Sequence, residues 1–244
     1  MYRVERAIIM AAGIGKRMWP VTLGTPKPLV EVNGMRMIDT IIQGLHGKGI
    51  SEIYVVVGYL KEQFKSLEVE YPGLKLINNP YYDTCNNIAS LYAARNYIEN
   101  AIIIDGDQLV CNTDVLGLDF ERSGYNAVWT DTFTDEWLMT VKEDIVRCCS
   151  RAGGNKGWQL FSISRWSAVD GKKLKRHLEI EFEEKGNRQI YWDDVVMFCY
   201  PEEYELGIYK MQSGDVIEID TLEELAELDE KYKLYLSKEE KNER

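Results

Sequence analysis

The chain has 244 residues, 45% of them hydrophobic and 28% charged, a globular balance that excludes disorder and suits one large domain. Lys and Arg number 29 against 40 Asp and Glu, a net charge of −11, which argues against nucleic acid or an anionic membrane as the main partner. No apolar run reaches the roughly 18 residues that a membrane-spanning helix needs, so no membrane insertion is expected.

The five cysteines, Cys85, Cys111, Cys148, Cys149 and Cys199, are odd in number and form no Cys-x-x-Cys pair. Reduced thiols in a cytoplasmic protein are the economical reading. Residues 3–15 loosely imitate a signal peptide, but the apolar stretch ends at Lys16-Arg17 and reads better as a buried strand.

In chain order, residues 7–10 predict a strand running into the loop Ala11-Ala12-Gly13-Ile14-Gly15-Lys16-Arg17. Apolar spacing at Met37, Ile38, Ile41, Ile42 and Leu45 predicts a helix over 37–48, closed by Gly47 and Gly49. Residues 53–57 predict a second buried strand, 61–69 a helix, 74–77 a short strand and 86–100 another helix. Residues 101–104 are a third core strand, ending at Asp105-Gly106-Asp107. This alternation predicts a doubly wound α/β domain with a mostly parallel, Rossmann-like sheet. Ligands bind such sheets beyond the carboxyl ends of the strands, where the Gly13 loop, Gly58-Tyr59 and Asp105-Gly106-Asp107 fall.

The pattern changes near residue 127. Strands are expected over 127–129, 138–141, 145–149 and 158–163, interrupted by a helix over 169–184. A strand over 216–219 and a helix over 221–236 follow, with Asp220 or Thr221 as N-cap and Glu223 and Glu224 favourable in the first turn. The charged tail, 237–244, is expected to fray. The whole reads as a single domain over 1–236, with halves at about 1–125 and 126–220.

Two motifs carry chemistry. Backbone N–H groups in the Gly13-Ile14-Gly15 turn can form an anion-binding concavity. It is neither a Walker loop nor a dinucleotide fingerprint, since Met18 stands at the third glycine position. Residues 1–30 hold Arg3, Arg6, Lys16, Arg17 and Lys27 against Glu5 alone, so a polyphosphate is the natural ligand. Asp105-Gly106-Asp107 can supply carboxylates to Mg²⁺, which takes one or two of them plus substrate phosphates; the competing reading is an ordinary Asp-Gly turn. His46 and His177 lie in separate predicted helices, which argues against a triad or a zinc site.

The loop from Ala11 to Met18, with Thr25-Pro26-Lys27-Pro28-Leu29 after it, resembles the signature of nucleotidyltransferases that act on sugar phosphates and alcohol phosphates. Asp105-Gly106-Asp107 and Glu218-Ile219-Asp220-Thr221 fall where that family keeps its metal-binding acids. The resemblance tightens towards the CTP:phosphocholine cytidylyltransferases of bacterial choline incorporation through Val56-Val57-Gly58-Tyr59-Leu60, Asn86-Asn87, Thr134-Asp135-Glu136-Trp137 and Tyr191-Trp192-Asp193. It implies a nucleotidyltransferase fold with a β-rich, acceptor-binding insertion in the C-terminal half. It also implies transfer of CMP from CTP to phosphocholine.

On that resemblance, Lys16 and Arg17 hold the triphosphate and Lys27 the α-phosphate or the acceptor phosphate. Asp107 and Asp220 hold Mg²⁺, with Glu218 or Asp193 as a further candidate ligand. Ala11, Ala12, Gly13, Ile14, Gly15, Gly58, Tyr59, Asn86, Asn87, Ser90 and Asp105 belong to the nucleotide side. A quaternary ammonium needs ring faces and a nearby carboxylate; Trp137, Tyr191 and Trp192 offer rings, and Asp135, Glu136 and Asp193 offer charge. Alternatives are CMP transfer to 2-aminoethylphosphonate or to a sugar 1-phosphate, and a nucleotide-binding regulatory domain without turnover. Cys85, just before the Asn pair, receives no role.

Overall fold

Strands that are apolar on both faces can be satisfied only inside a sheet covered on both sides. In the computed structural model, which describes residues 1–236, Arg6–Ala11, Ile53–Val57 and Ala101–Asp105 are such strands, and Leu74–Asn78, half-exposed, forms the edge beside them. They pair in parallel, with Ala101–Asp105 and Ile53–Val57 flanking Arg6–Ala11 and Leu74–Asn78 outside Ile53–Val57. Alternate side chains feed two cores. Ala7, Ile9 and Ala11 meet Ile38, Ile41, Ile42 and Leu45 of helix Met37–Gly47. Ile8 and Met10 meet Ile88, Leu91 and Ala94 of helix Ile88–Ala94 on the other face. The expected doubly wound arrangement is present here.

The second half extends the same sheet with opposite polarity. Gly157–Trp166 pairs antiparallel with Ala101–Asp105, placing Ile163 opposite Ile104. Gly124–Thr130, Leu138–Lys142, Ile145–Ser150 and Gly207–Met211 complete nine strands among the described residues. The sheet is therefore mixed, parallel in its nucleotide half and mainly antiparallel beyond it. Short connections force that choice. Leu138–Lys142 and Ile145–Ser150 are joined by Glu143 and Asp144 alone, both with positive φ (56° and 57°), as a two-residue hairpin turn requires.

One ribbon that the sequence reading did not anticipate brings the site together. Gln108–Val110 pairs antiparallel with Val216–Glu218, with Glu218 opposite Gln108. Asp107 and Asp220, 113 positions apart, are thereby carried to the same end of the ribbon. Helix Leu222–Leu228 then starts from Thr221, whose hydroxyl accepts from Glu224 N at 3.2 Å, while Glu224 reaches back to Thr221 N at 2.9 Å. This is a reciprocal capping box.

Three expected helices are shorter or broken. The one over 86–100 runs only Ile88–Ala94 and tightens into a 3₁₀ turn, Arg95–Tyr97; at its start Asn86 N donates to Arg188 O and Asn87 Oδ1 accepts from Trp192 N. The one over 169–184 is α-helical over Ala168–Glu179 and widens to a π-turn at Ile180–Glu184. The one over 221–236 breaks at Asp229, which has extended backbone and accepts from Asn33 N and Lys231 N at 2.8 and 3.2 Å. The tail expected over 237–244 lies outside the described residues. Among them no helix is long and apolar enough to cross a membrane.

Candidate active site

The strand Arg6–Ala11 hands over to a loop whose course is set by two glycines. Gly15 has φ +67°, and a Cβ there would meet Lys27 Cβ at 3.1 Å, so the left-handed turn packs directly on the root of the Lys27 side chain. Thr22 Oγ1 donates to Gly15 O at 2.7 Å and fixes it. Gly13 faces open space. Together with Ala11, Lys16, Arg17, Lys27, Asn86, Asp107 and Asp220, these glycines line a cavity of about 400 Å³.

Lys27 sits at its base. The side chain is almost fully buried, and Nζ donates to Asp107 Oδ2 and Asp220 Oδ1, each at 2.8 Å. Burial works against the ammonium, but the two carboxylates outweigh it and raise its pKa. Burial likewise opposes ionisation of Asp220, yet Lys27 and Arg17, the latter at 3.0 Å, hold its pKa below the usual carboxylate range. The Lys27 cation is thus clamped inside the site by two carboxylates rather than left solvated. Lys16 and Arg17 carry exposed side chains along the same wall.

Arg17, Asp107 and Asp220 also line a second cavity of about 380 Å³. Its other walls hold Asn87, Asp105, Asp135, Glu136, Trp137, Tyr191, Asp193 and Glu218, with Leu160 and Ser162 from the strand Gly157–Trp166. Seven carboxylates crowd this space, and several cannot all ionise. Burial, then Asp107 and Asp220, push Glu218 up to about 8. Burial raises Asp193 to about 7. Asp105 is raised well above its ordinary value by burial and then by Asp107 and Asp193. Such a site is built to receive positive charge.

A third cavity, of about 250 Å³, opens behind the loop between Ala12, Gly13, Ile14, Lys16, Asn86, Asn87 and Ser90. It also uses Asn79, Tyr82 and Cys85, which sequence reasoning did not place there. Asn79 is buried and donates to Ser90 Oγ at 3.0 Å. The three cavities share walls: Gly13, Lys16 and Asn86 join the first to the third, and Asp107 joins it to the second.

Several expected ligand-binding residues stand elsewhere. Gly58 is pressed against the loop from behind: a Cβ there would lie 2.9 Å from Ala12 O and 2.5 Å from Tyr82 Cβ. Tyr59 N donates to Ala12 O at 3.2 Å. Both brace the loop and line none of the three cavities. Trp192 is a correction to the proposed ring cage. It is 1% exposed, stacked at 5.9 Å on Tyr125 and edge-on at 6.0 Å to Trp166, so its ring belongs to the core. Trp137 and Tyr191 do meet in the second cavity, edge to face at 5.9 Å.

The segment bearing Tyr191 and Asp193 is tied down from two sides. Asp194 caps its short helix, Trp192–Asp194, by accepting from Tyr191 N at 2.7 Å, and Arg151 Nε donates to the same carboxylate at 2.7 Å. Asn87 Oδ1 accepts from Trp192 N at 2.9 Å. One amide thus links the wall of the third cavity to that of the second. Asp194 and Arg151 escaped sequence reasoning because neither lies in a recognisable motif.

Mg²⁺ can be tested against this donor set. Among the described residues no group of three or more acids, His or Cys has metal-holding geometry. Asp107 and Asp220 nevertheless offer two carboxylate oxygens to one cation, at present the Lys27 ammonium. That hard-oxygen pair fits an ion that takes its remaining ligands from water and substrate phosphates.

Comparison with known proteins agrees with this geometry. Residues 7–159 match the MobA-like NTP transferase domain family. A 2-aminoethylphosphonate cytidylyltransferase of Lancefieldella rimae is 39% identical over 230 residues, covering 93% of this chain and 92% of that protein. A choline-phosphate cytidylyltransferase of Streptococcus pneumoniae is 32% identical over 225 residues, 92% of this chain and 97% of that one. The solved CTP:phosphocholine cytidylyltransferase LicC of Streptococcus pneumoniae superposes with a TM-score of 0.85 at 32% identity, covering 93% of this chain and 98% of the other.

Proposed function

The chain belongs to the MobA-like NTP transferase family, and we propose that it transfers CMP from CTP, in the cytoplasm, to a short acceptor bearing a phosphonate or phosphate at one end and a cationic nitrogen at the other. The observation that carries this reading is the junction at Lys27, Asp107 and Asp220, where a glycine-loop cavity and a carboxylate-lined cavity meet. An acceptor oxygen attacks the α-phosphorus of CTP there, the bond from that phosphorus to the β-phosphate oxygen breaks, and pyrophosphate leaves. No side-chain nucleophile is required. Every reacting group is an anion, so charge neutralisation and alignment supply the rate.

The roles follow from position. Backbone N–H groups of the Gly13 loop with Lys16 and Arg17 hold the triphosphate, and Asn79, Asn86 and Ser90 border the base. Lys27 stands where charge develops at the α-phosphate. Asp107 and Asp220 would hold Mg²⁺, with Glu218 close by; when bound, it neutralises phosphate oxygens and stabilises the developing charge. Asp135, Glu136 and Asp193 face the acceptor's nitrogen.

Between the two acceptors named by the relatives, the lining favours a primary ammonium. Three N–H donors need acceptors, and carboxylates are abundant. A quaternary ammonium needs several ring faces, but Trp192 is withdrawn into the core and the Arg151 guanidinium lies 5.8 Å from the Trp137 ring. The Trp137–Tyr191 pair is what favours phosphocholine as the second reading. A pyrophosphate-release screen decides: CTP, UTP and ATP are crossed with 2-aminoethylphosphonate, phosphocholine, phosphoethanolamine and a sugar 1-phosphate. CTP with 2-aminoethylphosphonate is expected to lead. Faster release with phosphocholine would reverse the acceptor order, and release only with a sugar 1-phosphate would overturn the proposal.

A further inference from the structure

Six buried side-chain polar atoms lack a hydrogen-bond partner among the described residues, and three of them are Tyr125 Oη, Trp192 Nε1 and Asp193 Oδ1: the Tyr125 and Trp192 rings stack at 5.9 Å, and Asp193 lines the carboxylate-lined cavity. Tyr125 is 0% and Asp193 6% exposed, and the Tyr125 hydroxyl stands beside the Asp193 carboxylate. A buried polar atom without a partner lowers stability and calls for an explanation. Packing does not give one, since Phe would fill the Tyr125 position equally well between Trp166 and Trp192. Nor does an ion pair, because Arg151 engages Asp194 instead and no described cation pairs with Asp193. The backbone around Asp193 is already fixed by Asp194 and Asn87. What stays undetermined is the direction of one carboxylate.

Resting on the reading that the acceptor carries a cationic nitrogen, we propose that Tyr125 is a positioning residue for acceptor selection: its hydroxyl donates to Asp193 and turns the remaining carboxylate lone pairs towards the acceptor's ammonium. The ammonium of the acceptor then supplies the partner that Asp193 Oδ1 lacks in the resting protein. Tyr125 comes from the strand Gly124–Thr130 and Asp193 from the helix after Tyr191, so two separate segments must meet for the amine to be read.

The test is steady-state kinetics on wild type, Tyr125→Phe, Asp193→Asn and the double variant, with CTP and 2-aminoethylphosphonate or its uncharged analogue 2-hydroxyethylphosphonate. Tyr125→Phe is expected to raise the KM for the amine about tenfold. The KM for CTP, the KM for the uncharged analogue and the thermal midpoint should be unchanged, or the midpoint slightly higher. Asp193→Asn should raise the amine KM further, and the double variant should be no worse than Asp193→Asn alone. Equal losses for amine and uncharged analogue, additive losses in the double variant, or an unchanged amine KM in Tyr125→Phe overturn the proposal while wild-type turnover leaves the acceptor class standing. A wild type that turns over no aminated phosphonate or phosphate removes both.

Discussion

The two halves of the cleft are built in opposite ways. The nucleotide side is a contiguous loop between a strand and a 3₁₀ turn, with a glycine at position 15 where a Cβ would intrude and one at position 13 that opens onto the cavity. The acceptor side is assembled from side chains on separate segments, with residues 135–137, 160–162 and 191–193 coming from the second half of the chain, and is held by Arg151, Asp194 and Asn87. A backbone cradle recognises what every nucleoside triphosphate shares. A side-chain pocket can be re-cut residue by residue without disturbing the cradle. Two relatives with different named acceptors at 39% and 32% identity are what that division permits.

The strongest challenge to this division falls at the junction. Lys27→Ala is expected to lower kcat by about 10²–10³ with every acceptor, because it removes a buried cation common to both halves. An effect confined to the acceptor KM would show that the halves do not meet at Lys27. Trp137→Ala sharpens the other side. It should raise the acceptor KM about tenfold, the range of a partly desolvated cation–π contact, with the KM for CTP unmoved in the same assay.

How much of this was legible follows the same line. Ala11 to Lys27 could be read because the cradle is continuous in sequence, and Asp105-Gly106-Asp107 because a strand end announces itself. Trp192 was misread because a three-residue helix has no periodicity from which to tell its inner face. Gly58 looked like a ligand residue for being at a strand end, when its lack of a Cβ serves packing on Ala12 O and Tyr82. The strand over 216–219 was expected, but its pairing with Gln108–Val110 was invisible, since a three-residue strand carries too little alternation to assign and a partner over a hundred residues away leaves no local signal. Tyr125 reads as an ordinary core residue, and only its unpartnered oxygen distinguishes it.

Smaller effects separate charge from architecture. Burial lifts the folded-state pKa of Asp193 from 3.8 to about 7, so between those values the folded protein binds more protons than the unfolded chain. Its stability without ligands should therefore fall as pH rises from about 4 to about 7. Asp193→Asn should flatten that part of the profile by a few °C in thermal melts across the range. A slope identical to wild type would place the buried charge elsewhere. Smallest is Glu224→Ala, which removes acceptors from Asp220 N and Thr221 N at 2.7 and 2.9 Å. A cost of about 1 kcal/mol and a few-fold higher Mg²⁺ requirement are expected from denaturant melts and metal titration.

The bond from Trp192 N to Asn87 Oδ1 has a thermodynamic consequence. Asn87 stands in the wall of both the third and the second cavity, so an occupant of one acts on the anchor of the other. Whatever factor CTP contributes through this amide to acceptor affinity, the acceptor must return to CTP unchanged, because a coupling free energy has no direction. Calorimetric titrations run in the two orders, with a non-hydrolysable CTP analogue, would therefore give one number rather than two, and Asn87→Ala would shrink it from both ends alike.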